Sequence, residues 1–145
     1  MEKIDILYLS SIADQYARTA DFIVDNGKIG GSLIVIYHLY LEAFEKKLKT
    51  IFATNTIIRG EEISKKILKD LGHDIFEVNL KLSLNQQIKD IYVLKFIKNN
   101  QVELRYGGYP FVPYAPETIE KLKLEYQRLV TVLCDLSRHE KYSNY

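Results

Sequence analysis

His38, Glu42, Glu45 and Lys49 stand four, three and four residues apart, a spacing that sets them along one line of a helix. That line lies about 100° around from the helix's apolar stripe, counting 100° per residue. A histidine, two carboxylates and a lysine so aligned form either the polar wall of a groove or a solvated face. Solvated ion pairs of this kind contribute only about 0.2–0.5 kcal/mol each, and the solvated face is the plainer reading.

A second candidate is "ELRYGGYPFVPYAP", residues 103–116, which holds all three prolines of the chain, at 110, 113 and 116. Prolines three apart favour an extended path, and Gly107 and Gly108 permit a sharp turn, so the stretch reads first as a connector. It also carries Arg105, whose guanidinium offers paired donors to phosphate. In that functional reading Tyr106 or Tyr109 would stack on a base. A ligand for a proline-reading domain is a third reading.

Other chemistries find less support. Carboxylate-bridged metal sites in helical bundles use E-x-x-H pairs, and this chain has none. Its histidines, at 38, 73 and 139, come from three separate segments. No cofactor and no metal are expected. Cys134, the one cysteine, reads as a small packed residue of the last helix, and no intrachain disulfide can form. Asp74 beside His73 reads as a helix N-cap, and "GKIGGS" lacks the spacing of a phosphate loop. Lysines gather at 46, 47 and 49 and again at 65, 66 and 69. The two runs share one basic patch only if their helices pack side by side.

These residues need helices to position them. Ile4, Tyr8, Ile12, Tyr16, Ala20 and Ile23 predict an amphipathic helix over 4–24. Ser32 is a candidate cap for a second, over 33–52, whose stripe of Ile34, Tyr37, Leu41, Phe44, Leu48 and Ile51 is wide enough to be central. A third runs over 60–71 and stops at Gly72. Residues 73–82 are ambiguous between a helical turn and a loop. Ser83 and Gln86 have the spacing of a capping box and open a fourth helix faced by Leu84, Ile88, Ile91 and Leu94. Pro116 starts the last, with Ile119, Leu122, Tyr126, Leu129, Leu133 and Leu136 as its buried face. The fold class expected is all-α, an antiparallel up-and-down bundle of four to five helices, in a single domain over 1–145.

With 145 residues and a formal net charge of +1, no global field draws the chain to nucleic acid or anionic lipid. The start, MEKIDILYLS, lacks a signal-peptide pattern, and no apolar run is long enough to cross a bilayer. A cytoplasmic protein without membrane contact is expected.

Three segments together resemble the HEPN domain family. "LYLEAFEKKLKTIF" is similar to that family's E-x-x-L-K signature, at Glu45, Leu48 and Lys49. "GHDIFEVNL" resembles its histidine followed by spaced apolar residues, at His73, Ile75 or Phe76, and Leu80. "ELRYGGYPF…APETIEKLKLEYQRLV" resembles its arginine-tyrosine turn into the last helix, at Arg105 and Tyr106. The resemblance spans nearly the whole chain. It implies a bundle that often dimerises, with roles in toxin–antitoxin pairs, defence systems and nucleotide or RNA binding, frequently beside a small nucleotidyltransferase. The family's ribonucleases are metal-independent and use an arginine followed four to six residues later by a histidine. No pair here meets that spacing: the next histidine after Arg105 is His139, and Arg59 precedes His73 by fourteen residues.

The expected function is therefore HEPN-like binding of a nucleotide or nucleic-acid phosphate, of a partner protein such as a nucleotidyltransferase, or of both. Arg105 and Lys49 would meet the phosphate, with Tyr106, His73 and Glu45 lining the site, and a homodimer is the expected assembly. An atypical metal-independent ribonuclease toxin is the alternative, and a purely structural dimerisation module a third class.

Overall fold

A computed structural model describes residues 5–27, 33–106 and 116–139 of the chain. Ser32 and residues 107–115, which include Gly107, Gly108, Tyr109, Pro110 and Pro113, lie outside the described residues. What is described is helical: α1 (Ile6–Asp25), α2 (Leu33–Ile58), α3 (Lys65–Asp70), α4 (Ile75–Leu80), α5 (Ile91–Arg105) and α6 (Pro116–Ser137). The six helices exceed the expected four to five because the ambiguous stretch after Gly72 forms α4.

Capping explains most helix starts. Asp5, Ser64, Asp74 and Asp90 each accept a backbone N–H from the first turn they precede. Each such cap contributes about 1 kcal/mol. The fourth helix expected from Ser83 is a correction. Residues 83–90 are turn and coil, and α5 begins eight residues later, at Ile91, behind Asp90. Gln86 is not free to complete a capping box, because its amide exchanges hydrogen bonds of 2.7 and 3.0 Å with the Asn55 amide on α2. Leu84 is 83% exposed and Ile91 is also exposed, so neither belongs to a buried face.

α2 is the central helix. It packs against α1, α4, α5 and α6, and Ile36, Tyr37, Leu41, Phe44, Leu48 and Ile51 are buried on it. Each such side chain contributes about 1.5–3 kcal/mol by leaving water. Its wide apolar arc foretold this place, although the helix runs on to Ile58 before Gly60, at φ +80°, turns the chain away. Ring contacts fasten two neighbours: Tyr37 meets Phe96 of α5 edge-on at 4.8 Å, and Phe44 meets Tyr126 of α6 at 5.8 Å.

α1 lies antiparallel to α2, as two polar contacts fix: Asp21 accepts from the Tyr40 hydroxyl, and Asp14 receives Lys47 Nζ at 2.9 Å. The buried face of α1 is not the one its larger residues mark. Ala13, Ala17 and Ala20 are buried with Ile6, whereas Tyr8 is 65% exposed and Ile12 and Tyr16 are half-buried. Small side chains permit a close approach of the two helices, which turns the bulkier stripe sideways. α6 follows expectation, with Ile119, Leu122, Tyr126, Leu129 and Leu133 buried. α3 rests on a separate small core, where Leu68 and Ile63 meet Ile6 of α1 and Ala53 and Ile57 of α2. That satellite core ties α3 to the C-terminal part of α2 and the start of α1.

Candidate functional site

Between α1, α2 and α3 lies an open groove of about 840 Å³. α1 supplies Asp5, Tyr8, Leu9 and Ile12; α2 supplies Glu45, Lys46 and Lys49; α3 supplies Lys65, Leu68 and Lys69; His73 closes one end. The half-exposed stripe of α1 thus becomes an apolar wall. Lys46 and Lys49 of one lysine run and Lys65 and Lys69 of the other line the same groove, whereas Lys47 is turned to Asp14 and Ser10.

The polar line of α2 is partly buried rather than solvated. Glu45 and Lys49 are 6% and 8% exposed. Lys49 Nζ lies 3.2 Å from Glu45 Oε2, and His73 Nδ1 lies 3.1 Å from the same oxygen. Glu45 therefore holds a cation on one side and an imidazole on the other, while most of the His73 ring faces solvent. Glu42, half-buried, binds Lys46 at 2.6 Å and has His38 at 3.9 Å. Burial acts to raise the Glu42 pKa. The hydrogen bond and charge of Lys46, helped by the nearby His38 and His73, outweigh it and leave the carboxyl below its usual value of 4.5.

Arg105 is not brought to this groove. Its guanidinium donates to the His73 backbone carbonyl. The crevice that it borders with His38, Leu41, Glu42, Ile75 and Gln101 measures about 10 Å³, room for about one water and not for a phosphate. Tyr106 is the C-cap of α5 and 79% exposed, and it too lies outside the groove lining. So Glu45, Lys49 and His73 converge, while Arg105 and Tyr106 flank them from behind the His73 turn.

Gln101 is the residue that sequence reasoning missed. It is buried, its Oε1 accepts from Ile75 N at 2.8 Å, and its Nε2 donates to Asp74 Oδ1 at 2.8 Å. With Arg105 it staples residues 73–75 to α5 and so sets where the imidazole stands. A lone glutamine inside a helix gives no local signal of such a role.

A second polar cluster is structural. Lys47, 1% exposed, binds Ser10 Oγ and Asp14 Oδ1, both at 2.9 Å, and Tyr126 donates to that same Asp14 oxygen at 2.5 Å. Burial first, then the hydrogen bond and charge of Asp14, push the Tyr126 phenol well above its ordinary value. Tyr40 is raised likewise by burial and by Asp21. Cys134 is exposed, against the packed position expected for it, so it is not part of the core.

Among the described residues no cluster of three metal-ligating side chains forms, and no helix is long and apolar enough to cross a membrane. What the groove offers chemically is four lysines, Lys46 and Lys49 of them paired with Glu42 and Glu45, around an apolar floor. Set beside known protein families, curated proteins and solved structures, the chain matches none of them.

Proposed function

We propose that the chain is a HEPN-like binding protein that takes a phosphate-bearing ligand, first of all a nucleotide, in the α1–α2–α3 groove. The observation that carries this reading is the meeting of Lys46, Lys49, Lys65 and Lys69 around one apolar cleft large enough for such a ligand. Ammonium groups supply charge-assisted hydrogen bonds to phosphate oxygens, and Tyr8 with Leu9, Ile12 and Leu68 supplies a surface for a base. Glu45 and His73 keep Lys49 oriented at the end of the groove. Arg105 serves the site by holding the His73 backbone, not by touching phosphate.

The resemblance in "LYLEAFEKKLKTIF", "GHDIFEVNL" and the arginine-tyrosine turn carries the rest of the proposal. In it the helices form an up-and-down bundle that dimerises, and a nucleotidyltransferase-like protein is the candidate partner.

Thermal unfolding with and without ATP tests the binding reading. ATP at about a hundredfold excess over its dissociation constant stabilises by about 2.7 kcal/mol, which for a chain of this length raises the midpoint by about 5–11 °C. No shift with ATP or with a short RNA contradicts it.

One observation favours a second reading, cleavage of RNA. An exposed imidazole held by a buried carboxylate beside lysines has the parts of a general acid–base site. That reading requires RNA cleavage by the purified protein, lost in His73→Ala.

A further inference from the structure

We infer that the groove reads the phosphate chain of a nucleotide and does not discriminate its base. This rests on the binding reading above and names the ligand class of the same site.

The polar inventory of the groove leans to donors. Its four lysines only donate hydrogen bonds. The two carboxylates that line it each hold a partner through one oxygen, and of the lysines Lys46 and Lys49 are themselves paired with Glu42 and Glu45. Asp5 caps α1 by accepting from Tyr8 N at 2.9 Å, and Glu45 Oε2 lies between Lys49 and His73. Among the described residues no asparagine, glutamine, serine or threonine lines it. Side chains of those types are what tell one base edge from another, because a site built to hydrogen-bond one group rejects the analogue that lacks it. Lysine, a flexible point charge, lacks the paired geometry for that task.

The remaining lining is Leu9, Ile12, Leu68, the exposed ring of Tyr8 and the His73 imidazole, whose Nδ1 already lies against Glu45. Such a surface accepts any base, since every base presents a π-face. The phosphate chain, in contrast, meets cations from two helices at once. Affinity should therefore climb with the number of phosphates and stay nearly flat across the four bases.

Titration calorimetry of the full chain at one fixed salt concentration decides this, using ATP, GTP, CTP, UTP, ADP, AMP, adenosine and inorganic tripolyphosphate. The four triphosphates should agree within about threefold, while AMP should bind at least about tenfold more weakly than ATP, as expected for charge-assisted contacts. Tripolyphosphate should bind more weakly than ATP because it leaves the apolar floor uncovered. The exposed pair Lys65→Ala/Lys69→Ala should weaken all four triphosphates by the same factor, and Lys66→Ala, on the same helix but outside the groove, should not. A preference of about tenfold or more for one base, as hydrogen-bond readout gives, or AMP binding as tightly as ATP, overturns the inference while leaving the binding site in place. Tripolyphosphate equal to ATP removes the part played by the floor. No binding by any of the eight overturns the binding reading and this inference together.

Discussion

Glu45 Oε2 stands 3.1 Å from His73 Nδ1, joining the middle of α2 to the turn before α4 across 28 residues of sequence. Lys49 Nζ lies 3.2 Å from that same oxygen. The carboxylate is thus the hinge pin of the site, and its protein partners come from two directions.

Removing its charge should be costly. In Glu45→Gln the mostly buried Lys49 loses its counter-charge, and the His73 ring loses an anionic partner. Leaving a mostly buried charge uncompensated costs about 1–3 kcal/mol at a groove edge, less than in a sealed core. Urea unfolding should show that loss with an unchanged m-value. A cost below a few tenths of a kcal/mol contradicts the buried role of the pair.

Arg105 should behave as a positioning residue. Arg105→Ala removes one donor to the His73 carbonyl and should lower stability by about 0.5–1.5 kcal/mol. The helical circular dichroism should persist. ATP affinity should fall less than in Lys65→Ala/Lys69→Ala, because the guanidinium lies outside the groove. A larger loss of affinity in Arg105→Ala places the phosphate at the α5 end instead.

Alkaline pH should unfold the protein through its buried phenols. Tyr40 and Tyr126 both have raised folded-state pKa values, so above about pH 10 the unfolded chain releases protons that the folded one keeps. Their contribution is fully present below pH 10. Above it, stability falls by about 1.4 kcal/mol per pH unit for each phenol that ionises only on unfolding. Tyr126→Phe should remove one such slope, as read from denaturation curves between pH 9 and 11. An unchanged slope contradicts the Tyr126–Asp14 contact.

The Glu42 carboxyl should contribute in the opposite direction. Its folded pKa lies below the usual 4.5, so the stability it adds is present above that value and is lost as pH falls through the folded one. Glu42→Gln should be less stable than the unmodified chain at pH 7, by no more than about 1 kcal/mol for a partly exposed pair. The gap should narrow as the pH falls through the folded pKa. A gap that is constant with pH means Glu42 acts by packing alone.

Much of this arrangement was legible in the sequence wherever one helix decides its own fate. The α6 stripe and the central place of α2 follow from apolar residues that recur without rivals. α1 misleads because Tyr8, Ile12 and Tyr16 recur at helical spacing just as Ala13, Ala17 and Ala20 do. Bulk favours the first set and close helix approach the second. Ser83 and Gln86 mislead because a capping box and a long-range amide pair with Asn55 need the same residue types. The groove itself was half legible: Glu45, Lys49 and His73 were named, and a shared lysine patch was foreseen conditionally. Whether the patch formed depended on the satellite core of Ile6, Ala53, Ile57, Ile63 and Leu68, contacts between segments that no local pattern reports.

The central claim is that the α1–α2–α3 groove is the binding site, and amide NMR of the labelled chain titrated with ATP tests it most directly. Saturable shifts should concentrate at Tyr8, Leu9, Lys49, Leu68 and His73. Saturable shifts centred instead on the end of α5 at Arg105 and Tyr106, with the groove residues unmoved, contradict it.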